Sequence, residues 1–272
     1  MTWSIGFSTA LAVRSRRSPA ALAARDGEAV ATGFASRSQS EGRGFVALRV
    51  LPAVRRQGIG STLLRRLCEH LARHGFETAS AHVDGNDPGS LAFAARHGFE
   101  EVDRQVEQVK VVGDESPPRL PEGVGFVTIA DRPELLEASY DLAVEGYADM
   151  ATSTPVTISR DEWLEEEASL PAGSFVAQAG DEIVGYSGLM RHSDGLVEDG
   201  LTVVRRAWRR RGLAEALKRA ELQWAAANGI PEIVTWTQRG NDAMRALNER
   251  LGYEYRSVSI TVRRPLPLAG EA

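Results

Sequence analysis

The sequence predicts a layered α/β protein made of two tandem copies of one domain, and three observations predict it. Gly58 and Gly212 sit in matching surroundings, and Arg55/Arg209, Leu63/Leu217, Gly75/Gly229 and Gly98/Gly252 repeat at the same offset. A period this long belongs to a duplicated domain, not to a solenoid of short units. Within each copy, runs with strand-like apolar character alternate with helix-period segments. Between the copies, Gly113-Asp114-Glu115-Ser116-Pro117-Pro118, followed by Pro121 and Gly123, carries prolines and charge without apolar periodicity, which marks a linker. The boundary is expected near residue 118, giving residues 1–118 and 119–272.

The second copy reads in order as follows. Residues 124–129 form a strand, 133–144 a helix, and 160–168 a helix with Trp163 facing inward. Strands 174–178 and 183–191 are joined by an Ala-Gly-Asp-Glu turn, and 196–204 is a further strand. The long helix 212–228 carries the stripe Leu213, Leu217, Ala220 and Trp224 at helical spacing. Glu215 and Arg219 pair one turn apart on its wet side, and Gly229 terminates it. Strand 232–236, helix 242–250 and strand 253–262 complete the copy. The first copy repeats this from its second strand onward, with Ile59, Leu63, Leu67 and Leu71 as the long-helix stripe. Asn86 and Asn241 match with a one-residue slip.

The second copy begins near Val124, and Gly212 lies much farther from that start than Gly58 lies from Met1. The front of the first copy is therefore short. The missing stretch corresponds to 135–167, which the second copy uses for a helical region. Either loss of this part or a misplaced start accounts for the deficit.

Composition narrows the class. The 272 residues are 43% hydrophobic and 25% charged, with a formal net charge of −5, as in a globular chain. That balance argues against a general nucleic-acid coat, so any cationic site must be local. The single cysteine, Cys68, excludes an intrachain disulfide; it reads as a small buried apolar residue in a reducing cytoplasm. No apolar run approaches the roughly 20 residues that cross a bilayer, and in the first segment the arginines follow the apolar stretch, the wrong order for a secretory leader. No membrane partner is expected.

Each long helix is preceded by a strand and a glycine-bearing turn: Arg55-Arg56-Gln57-Gly58-Ile59-Gly60 and Arg209-Arg210-Arg211-Gly212-Leu213-Ala214. A glycine at a helix start lets backbone amides approach an anion with no side chain in the way. The unsatisfied N–H groups and the helix dipole then favour a phosphate, and the arginines add local positive charge. No Gly-Lys-Ser/Thr follows, and Leu63 stands where a dinucleotide fingerprint wants its third glycine.

Strand, Arg-x-x-Gly-x-Gly/Ala opening a helix, strand, Asn, and a helix ending in Gly-Phe/Tyr resembles the GNAT N-acetyltransferase superfamily over nearly all of residues 124–266 and roughly 25–112. The resemblance implies two tandem GNAT-like domains, each a mixed, largely antiparallel sheet flanked by helices, the first truncated at its N-terminus. It implies acetyl-CoA as co-substrate, with Arg209, Arg210, Arg211, Gly212, Leu213 and Ala214 on the pyrophosphate. The backbone of Thr202, Val203 and Val204 would follow the pantetheine arm, and Asn241 would contact the arm or its diphosphate. The matching first-copy residues are Leu48, Arg49, Val50 and Asn86, with Arg55, Gln57, Gly58 and Gly60 in the turn. The tandem layout is similar to that of the mycothiol synthases, in which the C-terminal domain is the active one.

Acetyl transfer to an amine needs a base. Glu198 lies fourteen residues before Gly212 on the strand feeding the turn. Counted alternately, Glu198, Gly200, Thr202 and Val204 share a face, with Asp199 facing the other way. The placement resembles the catalytic glutamate of the histone-acetylating branch; a solvated strand-end acid is the other reading. The first copy has Gly44 at that count. Where many members carry an acidic tyrosine near the last helix, this chain has Asn248 and Ala94; asparagine donates a hydrogen bond to sulfur but transfers no proton. Tyr140 and Tyr147 are the candidate substitutes. Tyr147, Asp149, Met150 and Trp163 are candidate walls of a pocket for a small-molecule or peptide amine.

The expected activity is acetyl-CoA-dependent transfer to a primary amine in the C-terminal copy; the alternative is a catalytically silent CoA-binding regulator. Five arginines between Arg205 and Arg211 are accounted for by the anion site, so no nucleic-acid partner is expected. His70 and His74 lack a partner acid constellation, so no metal is expected. The assembly expected is a monomer or homodimer.

Overall fold

The computed structural model describes residues 4–8, 20–25, 28–38, 42–150, 158–192 and 195–267, which divide into two compact units, Met1–Arg104 with Ser259–Ala272 and Gln105–Val258. The first unit holds strands β1 (Ser4–Ser8), β2 (Ala20–Arg25), β3 (Glu28–Arg37), β4 (Arg43–Val50) and β5 (Thr78–Asp84), with helices α1 (Ile59–Arg73) and α2 (Pro88–Arg96). Strands β1 to β4 pair antiparallel in sequence order, and β4 pairs parallel with β5. The predicted stripe Ile59, Leu63, Leu67 and Leu71 is buried, each leucine contributing on the order of 2 kcal/mol of apolar burial.

The second unit opens on part of β6 (Glu100–Val111) and continues with β7 (Val124–Thr128), α3 (Glu134–Ala138), α4 (Tyr140–Ala148), α5 (Arg160–Glu166), β8 (Phe175–Ala179), β9 (Glu182–Arg191), β10 (Val197–Val204), α6 (Leu213–Ala227), β11 (Glu232–Gln238) and α7 (Asp242–Arg250). Its sheet has the same plan: β7 to β10 antiparallel in order, then β10 parallel to β11. Each unit is thus a mixed, largely antiparallel sheet flanked by helices.

Strand β6, the end of the first sequence copy, pairs with β11 from Glu232↔Val111 to Gln238↔Gln105. Strand β12 (Glu254–Pro265), the end of the second, pairs with β5 from Ser259↔Asp84 to Pro265↔Thr78. A cut near residue 118 separates the sequence copies, whereas the spatial units exchange their closing strands. A repeat pattern specifies that a last strand exists but not which sheet edge it closes.

The shortening of the first copy falls between its first two strands. Residues 9–19 connect β1 to β2, while 129–174, carrying α3, α4 and α5, connect β7 to β8. The helix expected over 133–144 is two helices meeting at Ser139, and both present an apolar residue, Leu135 and Leu142, to one core. Trp163 belongs to that core and not to a pocket wall. It is fully buried, its ring centroid lies 5.1 Å from that of Tyr186, and its Nε1 donates to the Leu136 carbonyl at 2.8 Å.

The constant offset between the copies holds where a slip was expected. Asn241 caps α7, its Oδ1 accepting from the Met244 N–H at 3.3 Å. The cap of α2 is Asp87, which accepts from the N–H groups of Gly89 and Ser90 at 2.9 and 3.1 Å. Asp87, not Asn86, is therefore the counterpart of Asn241, because a carboxylate caps a helix as well as an amide does. No helix among the described residues is long and apolar enough to cross a membrane.

Candidate active site

The two glycine turns have one backbone trace. Arg56 and Arg210 both have φ 63°, and Gly58 and Gly212 have φ 82° and 81°. Positive φ at an arginine is costly, so its recurrence at the equivalent position of the second copy marks a required shape. Neither α1 nor α6 has a side-chain cap at its start. A Cβ built on Gly58 or Gly212 meets nothing within 4 Å, so the space beside each helix start is open at its glycine. Gly60 packs against Phe93 and Val50, as a small first-turn residue should.

The first arginine of each turn has a structural task. Arg55 Nε donates to the Val50 carbonyl at 3.0 Å and Arg209 Nε to the Val204 carbonyl at 2.9 Å, folding the turn back onto the strand that feeds it. Arg209 also donates to Asp149 at 2.7 Å, and Arg206 Nε donates to the same carboxylate at 3.0 Å. The Arg206 N–H donates to Glu145 at 2.8 Å. Hydrogen bonds from Arg206 and then Arg209 pull the Asp149 pKa down to about 2. Asp149, expected at an acceptor wall, instead ties α4 to the turn. Arg211 packs 4.7 Å over the Trp208 ring. Arg210 and Gln57 are exposed and, among the described residues, have no side-chain partner.

Upstream of the turn the sheet opens. Strand β10 pairs with β11 only at Val197 and Glu198, and β4 with β5 only from Arg43 to Phe45. Beyond those residues one side of Thr202–Val204, and of Leu48–Val50, has no partner strand among the described residues. An extended chain laid there would find backbone donors and acceptors and run toward the uncapped helix start.

A bulge distinguishes the second unit. Asp199 pairs with Leu189 and Thr202 with Ser187, so Gly200 and Leu201 together face Gly188. The alternation counted from Glu198 is thereby reset. Thr202 Oγ1 donates to Asp199 Oδ1 at 3.2 Å, on the α6 side. Val204 packs with Leu213 and Leu217, while Leu201 and Val203 join the core of Trp163 and Leu142. Glu198 therefore does not share a face with Thr202 and Val204. In β4 the register is unbroken from Gly44 to Val50. Glu198 lies between Met190 and Val234, and the residue between their counterparts Ser36 and Ser80 is Phe45. Phe45, not Gly44, is the first-unit equivalent of Glu198. Gly44 faces α1, where a Cβ would come within 2.5 Å of Leu71.

Glu198 is 18% exposed and lies 2.7 Å from His192 Nε2. Burial raises its pKa, while the hydrogen bond from His192 opposes the rise. A second carboxylate escaped the sequence reading. Glu167, directly after α5, is buried on the same side of the sheet; burial lifts its pKa to about 7. In sequence it is one of three consecutive glutamates at a helix end, and nothing in that pattern says which one turns inward.

Asp199 is 1% exposed and forms an ion pair with Lys218, also 1% exposed. Glu221 is buried beside them, and burial followed by the Asp199 charge raises its pKa well above the ordinary range. Helix α6 thus carries a polar cluster on a face that periodicity marks as apolar. Asn248 is fully buried and its Nδ2 donates to Gln108 at 3.0 Å and Thr237 at 3.4 Å, which engages both of its hydrogens. Tyr140 Oη donates to the Ile158 carbonyl at 2.8 Å. Cys68 is buried and desolvation pushes its thiol to about 11. Among the described residues no three His, Cys, Asp or Glu side chains gather as a metal site.

The acetyltransferase (GNAT) family model matches residues 3–99 and again 124–253, and the chain belongs to that family, as a tandem-domain N-acetyltransferase. It is similar to the mycothiol acetyltransferase of Geodermatophilus obscurus, 29% identical over 258 residues covering 86% of this chain and 78% of that one. It is also similar to the mycothiol acetyltransferase of Catenulispora acidiphila, 25% identical over 249 residues, covering 88% and 78%. Two solved structures share the fold. A GCN5-related N-acetyltransferase from Sphaerobacter thermophilus has a TM-score of 0.75 at 22% identity, covering 90% of this chain and 80% of that one. A tandem GNAT protein from the clavulanic acid biosynthesis pathway has a TM-score of 0.73 at 22% identity, covering 92% and 83%.

Proposed function

We propose that the chain transfers an acetyl group from acetyl-CoA to a primary amine, with the chemistry in the C-terminal copy. The observation that carries this is the opening of β10 away from β11 after Glu198, leading to the uncapped start of α6. The turn fits a diphosphate because Gly212 leaves its approach clear. Arg210, Arg211 and the amides of Gly212, Leu213 and Ala214 hold the diphosphate, and the free edge of Thr202–Val204 holds the pantetheine arm. Asn241 follows β11 and caps α7 through its Oδ1, which leaves its Nδ2 as the group it would offer the same ligand.

Bound acetyl-CoA supplies an activated carbonyl carbon. Glu198 takes one proton from the substrate ammonium group, directly or through one water, with His192 orienting its carboxylate, and the freed lone pair attacks the thioester carbonyl. Asn248 has no donor left for the leaving sulfur, so as the C–S bond breaks the thiolate takes the second nitrogen-borne proton, directly or through water, and a neutral amide remains. The first unit has the turn of Arg55, Gln57, Gly58 and Gly60 and the open edge ending at Val50. It has Phe45 in place of the base and, among its described residues, no counterpart of the α3–α5 lobe. It is structural or binds CoA without turnover.

The names of the relatives put mycothiol chemistry first among acceptors to assay. The test is a thiol-release screen of purified full-length chain over amine classes, with calorimetry of CoA binding. Release with at least one amine supports the reading. Tight CoA binding with no release from any amine favours a silent CoA-binding regulator, the outcome consistent with the buried Asn248. No CoA uptake at millimolar concentration removes both.

A further inference from the structure

Glu167 is built into its place by features that a surface acid would not need. A capping box between Ser159 and Glu162 starts α5. The helix stops at Glu166, Glu167 turns to extended backbone at φ −83° and ψ 154°, and Ala168 follows at φ 52°. A left-handed alanine costs on the order of 1 kcal/mol, and here it turns the chain so that the Glu167 carboxylate enters the interior. Ser169 Oγ and the Leu170 N–H then anchor the segment to Arg191 and Leu189 of β9, at 2.8 and 3.1 Å.

The carboxylate seats on the bulge. A Cβ on Gly188 would lie 2.8 Å from Glu167 Oε1, so that glycine clears the seat, and Gly200 of the bulge lies alongside, its Cβ position 3.5 Å from the same oxygen. Tyr186 Oη donates to Oε1 at 3.5 Å, and the Leu201 N–H of the bulge acts on the carboxylate in the same sense, opposing the rise of its pKa. The titratable groups acting on this pair are Glu198 and Asp199 of β10, Glu221 of α6 and Tyr147 of α4. Asp199 is neutralised by Lys218. Glu198 has His192 beside it and Glu107 of β6 within range, the latter paired with Arg256.

We infer that Glu167 is a positioning residue for acetyl transfer, whose carboxylate, fixed on the β10 bulge, tunes Glu198 as the proton acceptor. This rests on Glu198 being the base. Two carboxylates that share a site titrate as a coupled pair, and the coupling is reciprocal. The Glu198 charge raises the proton affinity of Glu167, so an ionised Glu167 raises that of Glu198 by the same free energy. As pH rises through about 7 and Glu167 ionises, Glu198 becomes a stronger base, and turnover gains a limb near neutrality that depends on Glu167.

The experiment is a ¹³C NMR titration of the glutamate carboxyls in the full chain, in wild type, Glu198→Gln and Tyr186→Phe. It is joined to kcat profiles from pH 5 to 9 for wild type and Glu167→Gln with an amine that supports thiol release. Expected are a Glu167 titration near 7 that moves down in Glu198→Gln, where a like charge is gone, and up in Tyr186→Phe, where a hydrogen bond to the carboxylate is gone. The neutral limb of kcat should be present in wild type and absent from Glu167→Gln. A limb unchanged in Glu167→Gln, or a Glu167 titration indifferent to Glu198→Gln, overturns the inference. If Glu167→Gln fails to fold, the two titration shifts decide it. Full activity of Glu198→Gln would instead remove the base on which the inference rests, a distinct failure.

Discussion

Glu198 and Phe45 occupy the same place in the two sheets, each between strand partners that are themselves equivalent in the repeat, and only Glu198 can accept a proton. Glu198→Gln should therefore lower kcat by roughly 10²–10⁴ and leave CoA affinity unchanged. Steady-state kinetics with calorimetry of CoA binding checks both parts. An unchanged kcat removes Glu198 from the mechanism. Phe45→Glu should not create activity in the first unit, because its described residues lack the acid-bearing lobe and the bulge as well.

What was legible in the sequence follows the repeat. The glycine turns, the leucine stripe of α1, the inward Trp163 and the order of strands and helices each come from a local pattern that periodicity or backbone freedom makes visible. The bulge does not. One extra residue in β10 is offset by one extra residue in the loop before β4, so the count from Glu198 to Gly212 equals that from Gly44 to Gly58 and conceals the change of face. The polar cluster of Lys218, Asp199 and Glu221 was hidden for a related reason. Lys218 and Glu221 lie beside the apolar stripe of α6, and no local pattern says that Asp199, on another element, meets them there. Asp149 likewise meets Arg206 and Arg209 across some 60 residues of chain, a distance no local pattern spans.

The Lys218–Asp199 pair carries a stability prediction. Both groups are 1% exposed, and removing one partner of a buried pair strands the other charge. Lys218→Met should cost on the order of 3–5 kcal/mol, and adding Asp199→Asn should recover part of it. Urea unfolding of the two variants measures this. A loss below about 1 kcal/mol for Lys218→Met would mean that Asp199 is not charged in the folded protein.

Glu167 makes stability pH-dependent in a stated direction. Its folded pKa of about 7 exceeds the ordinary 4.5, so the folded state holds this proton more tightly than the unfolded chain. The stabilisation is complete below about 4.5 and is lost as pH rises through about 7, a change on the order of 3 kcal/mol. Glu167→Gln, with no proton to lose, should flatten the fall in unfolding free energy between pH 5 and 8. A denaturation series that keeps the wild-type slope in the variant contradicts this.

Asp149 holds Arg206 and Arg209 against α4, and a diphosphate at the turn would compete for the same positive charge. With its pKa near 2, the latch stays charged throughout the working pH range. Asp149→Asn leaves the turn more positive, and CoA should bind about 2- to 5-fold more tightly, the range of an exposed ion pair. The gain should shrink as salt rises. Weaker CoA binding in the variant would mean that the latch shapes the turn rather than competing with the ligand.

Gly212 and Gly58 separate backbone strain from ligand clearance. Both lie near φ 80° with open space where a Cβ would project, so alanine at either position should cost a similar amount of stability, about 1–2 kcal/mol, through strain alone. Under the proposed function, only the second unit uses the cleared space for the acetyl donor. Gly212→Ala should raise the acetyl-CoA KM on the order of 10- to 100-fold, the loss of one or two charge-assisted hydrogen bonds at the helix start. Gly58→Ala should leave that KM unchanged. Thermal melts and steady-state kinetics of the two variants distinguish the effects. Equal stability losses with KM moved only by Gly212→Ala place the diphosphate on α6, whereas KM moved equally by both would assign the clearance to folding and not to the ligand.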